Sequence, residues 1–193
     1  LWTEQLERRV DQRTQVLRAL VEISADISSQ LDVNHVLNSV VNKCRQLLGA
    51  DLAVLCMIQV KSQTLCVASV SGAKDGIISR HKSLHAGNAR SVVGKGHTVA
   101  CSSSQVCSMI APKYNGMHIA SPLRVGDQML GALCVAHRQK DGFSDEASNI
   151  LTLLANAAAI ALSNAQLFNQ AKTAATLLER ERIAAEMHDG LAQ

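Results

Sequence analysis

The chain has 193 residues, a net charge of +3 with acids and bases interleaved, and only 2% aromatic residues. That length suffices for one domain with a sizeable core plus extensions. Interleaved charge excludes an extended nucleic-acid surface, which needs a clustered basic stripe, and the scarcity of aromatics excludes base-stacking platforms.

Residues 1–31 read as helix. Leu6, Val10, Arg13, Leu17, Leu20, Ser24, Ile27 and Leu31 alternate in steps of four and three, a coiled-coil seam weakened by Arg13 and Ser24. The alternative is an amphipathic helix lying on a globular core. A second helix is expected after Asp32, its N-cap, with an apolar stripe from Val33 through Val36, Val40, Cys44 and Leu48 to a stop at Gly49.

The period then changes. Asp51 to Val60 and Thr64 to Val70 are strand-length apolar runs around a turn at Lys61-Ser62-Gln63, which predicts a hairpin. Residues 71–117 are irregular and rich in Gly, Ser, Lys and His, with a helical turn expected at Ala89 to Val93 and a short strand at His97 to Cys101. Met117 to Val125 and Met129 to His137 predict a second hairpin around Gly126-Asp127-Gln128.

A last helix is expected from the N-cap Ser144, with Asp145 and Glu146 in its first turn and no Gly or Pro before Gly190. Its predicted seam runs Ile150, Leu154, Ala157, Ala161, Asn164, Phe168, Ala171, Ala175, Leu178, Arg182 and Ala185. After Leu178 the apolar face moves to Ile183, Met187 and Leu191, a break in register just before His188.

This order of elements resembles the GAF domain, a small-molecule sensing module. The resemblance rests on Leu47-Leu48-Gly49-Ala50-Asp51, Ser121-Pro122-Leu123-Arg124-Val125, Leu130-Gly131-Ala132-Leu133-Cys134-Val135, Phe143-Ser144, and the helix through Leu151, Leu154, Ala155 and Ala161 to Leu167. It implies an α+β fold: an antiparallel sheet with helices on one face and ligand-binding loops on the other, flanked by long N- and C-terminal coiled-coil helices. The expected organisation is a signalling helix over 1–31, a sensor domain over 20–165, and from 166 to 193 a linker helix and the start of a phosphoacceptor dimerisation domain.

An imidazole that attacks a phosphoryl group needs a free ring nitrogen, solvent access and a nearby group to take or hold its proton. His188, Asp189 and Gln193 supply those types in one run; an isolated His-Asp pair is otherwise an ordinary surface feature. The whole run, Glu181 to Gln193 (ERIAAEMHDGLAQ), resembles the phosphoacceptor box of sensor histidine kinases, in the subfamily of nitrate/nitrite sensors that pair with LuxR-type response regulators. The resemblance implies that His188 is the phosphoacceptor, that Asp189 is its general base, and that Gln193 positions water for dephosphorylation of the regulator. It also implies a homodimer, and an enzyme only as the full-length kinase. No glycine-rich phosphate loop is present, Gly94-Lys95-Gly96 being too short, so the ATP site is expected after Gln193.

The ligand is not identified by the sequence. Cys101 and Cys107 flank the polar loop 102–106 and are expected to be the reactive thiols, whereas Cys56, Cys66 and Cys134 fall on strands that would be neighbours. His97 and His118, with His81 and His85, fall in or beside the ligand-side loops. Cys101, Cys107, His97 and His118 are thus the candidate ligand-binding residues. A redox, haem or metal-binding module is one alternative function, and a dimerisation scaffold without phosphotransfer is another. Six cysteines without CxxC or another zinc-ligand spacing give no metal site and suit a reducing cytoplasm. No apolar run of membrane-spanning length and no signal peptide are read, while an upstream membrane tether is compatible with the chain. Its start at Leu1 predicts a segment of a longer protein.

Overall fold

The computed structural model describes residues 10, 14–18, 21, 33–72, 74–84, 91–94, 96–101, 107–114, 117–138 and 143–191. Helix α1 (Val33–Leu47) turns Val36, Leu37, Val40, Val41 and Cys44 into the core at the expected helical spacing. It ends where glycine predicted: the Gly49 N–H donates to the Gln46 carbonyl at 3.3 Å and the Ala50 N–H to the Arg45 carbonyl at 2.9 Å. This closure needs a left-handed residue, and Gly49 has φ +59°. Asp32, the expected N-cap, lies outside the described residues.

The strands are β1 (Leu52–Gln59), β2 (Thr64–Gly72), β3 (His81–Ser83), β4 (Val99–Cys101), β5 (Met117–Val125) and β6 (Gln128–His137). They form one antiparallel sheet in the order β3-β2-β1-β6-β5-β4. Both expected hairpins are present, and β2 runs on to Gly72. Pro122 sits in β5 beyond Ala120, the last residue paired with β4, so its missing N–H breaks no ladder with that edge strand.

Alternation along the strands divides the sheet into two faces. Ala53, Leu55, Ile119, Leu123, Leu133 and Val135 pack beneath the helices, whereas Leu52, Val54, Cys56, Leu65 and Ala136 pack beneath the crossover segments. On the helix side, β2 is pinned to α1 by polar bonds. Ser69 Oγ donates to Asn38 Oδ1 at 2.6 Å, Ser71 Oγ donates to Asn42 Oδ1 at 2.6 Å, and Arg45 Nε donates to Ser71 Oγ at 2.9 Å. These bonds satisfy two buried hydroxyls that would otherwise oppose burial. Centrally, β1 and β6 approach so closely that a Cβ built on Gly131 would lie 2.0 Å from the Cys56 carbonyl oxygen.

Helix α2 (Asp145–Leu191) has 47 residues and is about 70 Å long. Ser144 caps it as expected, its Oγ accepting the Ala147 N–H at 3.2 Å. The first turns lie across the sheet and α1, with Leu151, Leu154, Ala155, Ala158, Leu162 and Ala165 fully buried. Residues 167–184 are exposed throughout.

Two expectations need correction here. Ile150, Leu154 and Ala161, assigned to the intermolecular seam, are buried in the domain's own core. Along the first turns the ridge left in solvent is Leu153, Ile160 and Leu167, at heptad spacing, whereas farther on the predicted seam residues Phe168 and Leu178 are themselves exposed. An alanine-rich helix carries two apolar stripes, and spacing alone does not say which one its own domain occupies. Also, Asp145–Ala184 contains a stretch long and apolar enough by composition to cross a membrane, contrary to the sequence reading; half of that stretch is buried against the sheet and α1. Packing within the domain accounts for the buried half of that apolarity.

Of the expected helix over 1–31, only residues 10, 14–18 and 21 are described; they are helical. Val16 is buried against the core, whereas Val10 and Leu17 of the predicted seam are exposed.

Candidate functional site

A cavity lies between the sheet and the crossover segments. Val54 and Cys56 from β1, Ala132 and Cys134 from β6, and Ala120 from β5 form its floor. Its roof is Val92, from the helical turn at residues 91–94, with Cys107, Met109 and Ile110. Leu65 and Lys82, paired across β2 and β3, close one side. Four alanine or cysteine side chains on the floor, Cys56, Ala120, Ala132 and Cys134, leave room that larger residues would fill. The cavity holds about 420 Å³ of non-atom space, part of it open to solvent, and room for water centres of about 30 Å³. That is a few waters at most, since one needs roughly 10–15 Å³ by this measure.

The roof is tied down by its own backbone. The Ile78 N–H donates to the Met109 carbonyl at 3.0 Å, and the Ala111 N–H donates to the Gly76 carbonyl at 2.7 Å. Tyr114, fully buried, anchors the segment's end, its hydroxyl accepting Arg138 Nη2 at 2.9 Å, while Asp75 pairs with Lys113.

Lys82 is 7% exposed and among the described lining residues is the one with a formal charge. Burial, reinforced by the thiols of Cys107 and Cys66 and opposed by the charge of Lys82, pushes the Cys56 thiol well above its usual range. His118 lies on the same face of β5 as Ala120 and is 1% exposed. Burial, then the Lys82 charge, lowers its pKa to about 4, so it is neutral near pH 7.

The candidate ligand residues therefore do not form one cluster. Cys107 and His118 belong to the cavity side. His97 lines a cleft on the opposite side of the sheet with Thr98, Ser121, Asn149 and Thr152. There the Thr98 hydroxyl lies 2.9 Å from that of Ser121 and 2.6 Å from that of Thr152, which joins β5 to α2. Cys101 ends β4; the loop 102–106 and His85 lie outside the described residues.

The expected order of thiol reactivity also changes. Cys107 is buried at 7% exposure, so it is not the accessible loop thiol the sequence suggested. Cys66 is half-buried, and its Sγ lies 3.1 Å from His81 Nδ1 across β2 and β3. Cys56 and Cys134 share the cavity as the strand reading implied, whereas Cys66 pairs with Met57, which faces the helices. Lys82 and strand β3 were missed. A lysine in a Ser-, Gly- and His-rich stretch looks solvated, and three residues show too little alternation to signal a strand.

The second candidate site is the far end of α2. His188 and Asp189 lie within the continuous helix, and Gln193 lies outside the described residues. The register break between Leu178 and Ile183 involves no interruption of the backbone helix; it is a shift of the apolar stripe alone. At the break Arg182 bridges Glu179, at 2.7 and 2.9 Å, and also pairs with Glu186. The guanidinium holds the Glu179 carboxyl below its usual range.

Comparison with known proteins agrees with this geometry. Residues 30–163, more than half the chain, match the GAF domain family. A search of curated proteins finds no match. Among solved structures, the GAF domain of an Acinetobacter phosphoenolpyruvate-protein phosphotransferase superposes with a TM-score of 0.67 at 17% identity, covering 78% of this chain and 94% of that one. Free methionine-R-sulfoxide reductase from Neisseria meningitidis, solved with its substrate, gives 0.67 at 15% identity over 79% and 90%. The phycoerythrobilin-bound GAF domain of a cyanobacterial phytochrome gives 0.66 at 15% identity over 80% and 97%. At these identities the likeness is one of fold. The chain belongs to the GAF domain family, a ligand-sensing signalling module found in varied proteins.

Proposed function

We propose that this chain is the sensor portion of a two-component histidine kinase, in which the state of the GAF domain governs phosphorylation of His188. The observation that carries the reading is the sequence run Glu181 to Gln193, whose residues as far as Leu191 continue a helix that has its first turns built into the sensor's own core. A change in the sheet or in α1 acts on a helix that continues without a break to Leu191.

In this reading the imidazole of His188 attacks the γ-phosphorus of ATP held by a catalytic domain beyond Gln193, the bond to the β–γ bridging oxygen breaks, and ADP leaves. Asp189 accepts or holds the imidazole proton, and Gln193 orients water when the phosphorylated regulator is hydrolysed. The regulator is of the LuxR-type class. Two chains pair in parallel through the exposed ridge of α2 and through the helix expected from the sequence over 1–31. Exposed Leu153, Ile160, Leu167, Leu177 and Leu178 support this, because a surface that apolar is normally covered. The module works on the cytoplasmic side, with any membrane tether upstream.

A signal shifts the equilibrium only if ligand binds one helix arrangement better than the other. The stripe shift between Leu178 and Ile183 supplies two such arrangements, since the seams on either side pack best at different helix phases. The test is phosphate labelling of the full-length kinase with ATP. Wild type gains an acid-labile phosphate and His188→Gln gains none; equal labelling of the variant would refute the assignment.

A further inference from the structure

We propose that the cavity between the sheet and the crossover takes a short-chain aliphatic monocarboxylate, its carboxylate held by Lys82. This rests on reading the cavity as the sensing site.

The argument starts from the donor set. Among the described lining residues, the hydrogen-bonding side chains are Lys82 and the thiols of Cys56, Cys107 and Cys134. Thiols are weak donors. The remaining lining is hydrocarbon or thioether: Val54, Leu65, Val92, Met109 and Ile110, with Ala120 and Ala132. One cation at one side of an apolar space complements a molecule with one anionic end and a hydrocarbon remainder.

A nucleotide or sugar would bury several polar groups here without partners, which is unfavourable. A dianion would need a second cation, and His118 is held neutral. A bare inorganic anion would leave the apolar walls facing empty space. The enclosed room, about 30 Å³ for water centres or two to three waters, admits a body of only a few carbons.

Lys82 is suited to the task. Its position in β3 is fixed by pairing with Leu65, and its side chain is buried and lines the cavity together with Cys56 of β1 and Ala120 of β5. An ammonium has three N–H donors, so one such group can hold a protein acceptor and a carboxylate at the same time. Lys82 also stands beside His81, whose ring contacts Cys66, so a ligand that draws on Lys82 pulls directly on the β2–β3 edge.

The test titrates butyrate into the 193-residue chain and follows methyl NMR signals, with butan-1-ol as the neutral analogue and sodium nitrate as the bare anion. Butyrate should give saturable shifts at Val54, Leu65, Val92 and Ile110. Lys82→Met should weaken binding about tenfold or more, as loss of a charge-assisted bond implies, and butan-1-ol should bind the wild type correspondingly more weakly. Ala132→Leu, which fills the floor and keeps Lys82, should abolish the shifts. Should Lys82→Met not fold, the butyrate–butan-1-ol contrast and Ala132→Leu decide alone. Equal binding of butyrate and butan-1-ol, tight binding by Lys82→Met, saturable nitrate binding at the same methyls, or no saturable shift with butyrate would each overturn the proposal. Phosphotransfer is not measured, so either result leaves the His188 assignment to stand or fall separately.

Discussion

Truncating Leu154 to alanine should cost the domain about 3–4 kcal/mol. Leu154 is fully buried between α2, α1 and the sheet. Losing its outer carbons forfeits roughly 2.4 kcal/mol at ~0.8 kcal/mol per carbon. The hole adds more, because a helix pinned to a sheet collapses only partly onto it. For a chain of this size that is a fall in Tm of about 10 °C. Leu178→Ala is the paired control. Leu178 is 66% exposed, so in dilute monomer the change should stay within about 0.5 kcal/mol. In the proposed dimer the same residue is covered, so the dissociation constant should rise about tenfold. Thermal unfolding at low concentration and sedimentation across a concentration series separate the two effects. A Leu154→Ala loss below about 1 kcal/mol, or an equal loss for Leu178→Ala in dilute monomer, would refute the division of α2 into a core half and a partner half.

His118 gives a pH signature: its folded pKa, about 4, lies below the usual 6.5, so the unfolded chain binds the proton first as pH falls. Stability is thus complete above pH 6.5 and declines between 6.5 and 4 by an amount on the order of 3 kcal/mol. His118→Gln should flatten this part of a denaturation series, and an unchanged slope would contradict the buried, neutral imidazole. Alkylation with peptide mapping should label Cys66 before Cys56, Cys107 and Cys134, and prior labelling of Cys107 would mean that the crossover roof is open in solution. Gly131→Ala, with a methyl aimed at the Cys56 carbonyl, should destabilise by roughly 3 kcal/mol or more in thermal unfolding, and a neutral result would mean that β1 and β6 are less tightly apposed.

Sequence was most informative where local chemistry and packing demand the same residues. Gly49 ends α1 because a left-handed residue is required there, and Ser144 starts α2 because a hydroxyl must meet an N–H. The strands from Leu52, Thr64, Met117 and Gln128 announce themselves by apolar runs of the right length. What stayed hidden depends on tertiary context. The edge strand His81–Ser83 is too short to show a period, and the burial of Lys82 comes from a roof supplied by residues far along the chain. Cys107 looked loop-like because its neighbours are serines, yet the Ile78–Met109 and Ala111–Gly76 bonds tie that segment to the connection between β2 and β3, and Cys107 packs in the core on that face. The alanines of α2 fit two interfaces equally well, so only the position of the sheet reveals which face remains exposed.

The central proposal, that helix phase carries the sensor's state to His188, is tested most directly by insertions between Leu178 and Ile183 in the proposed full-length kinase. One added residue rotates the distal helix by about 100°, whereas seven keep it near its original phase. Phosphate incorporation at His188 should become fixed, high or low, and indifferent to ligand after the one-residue insertion. The seven-residue insertion should retain much of the response. Identical behaviour of the two variants would contradict the account.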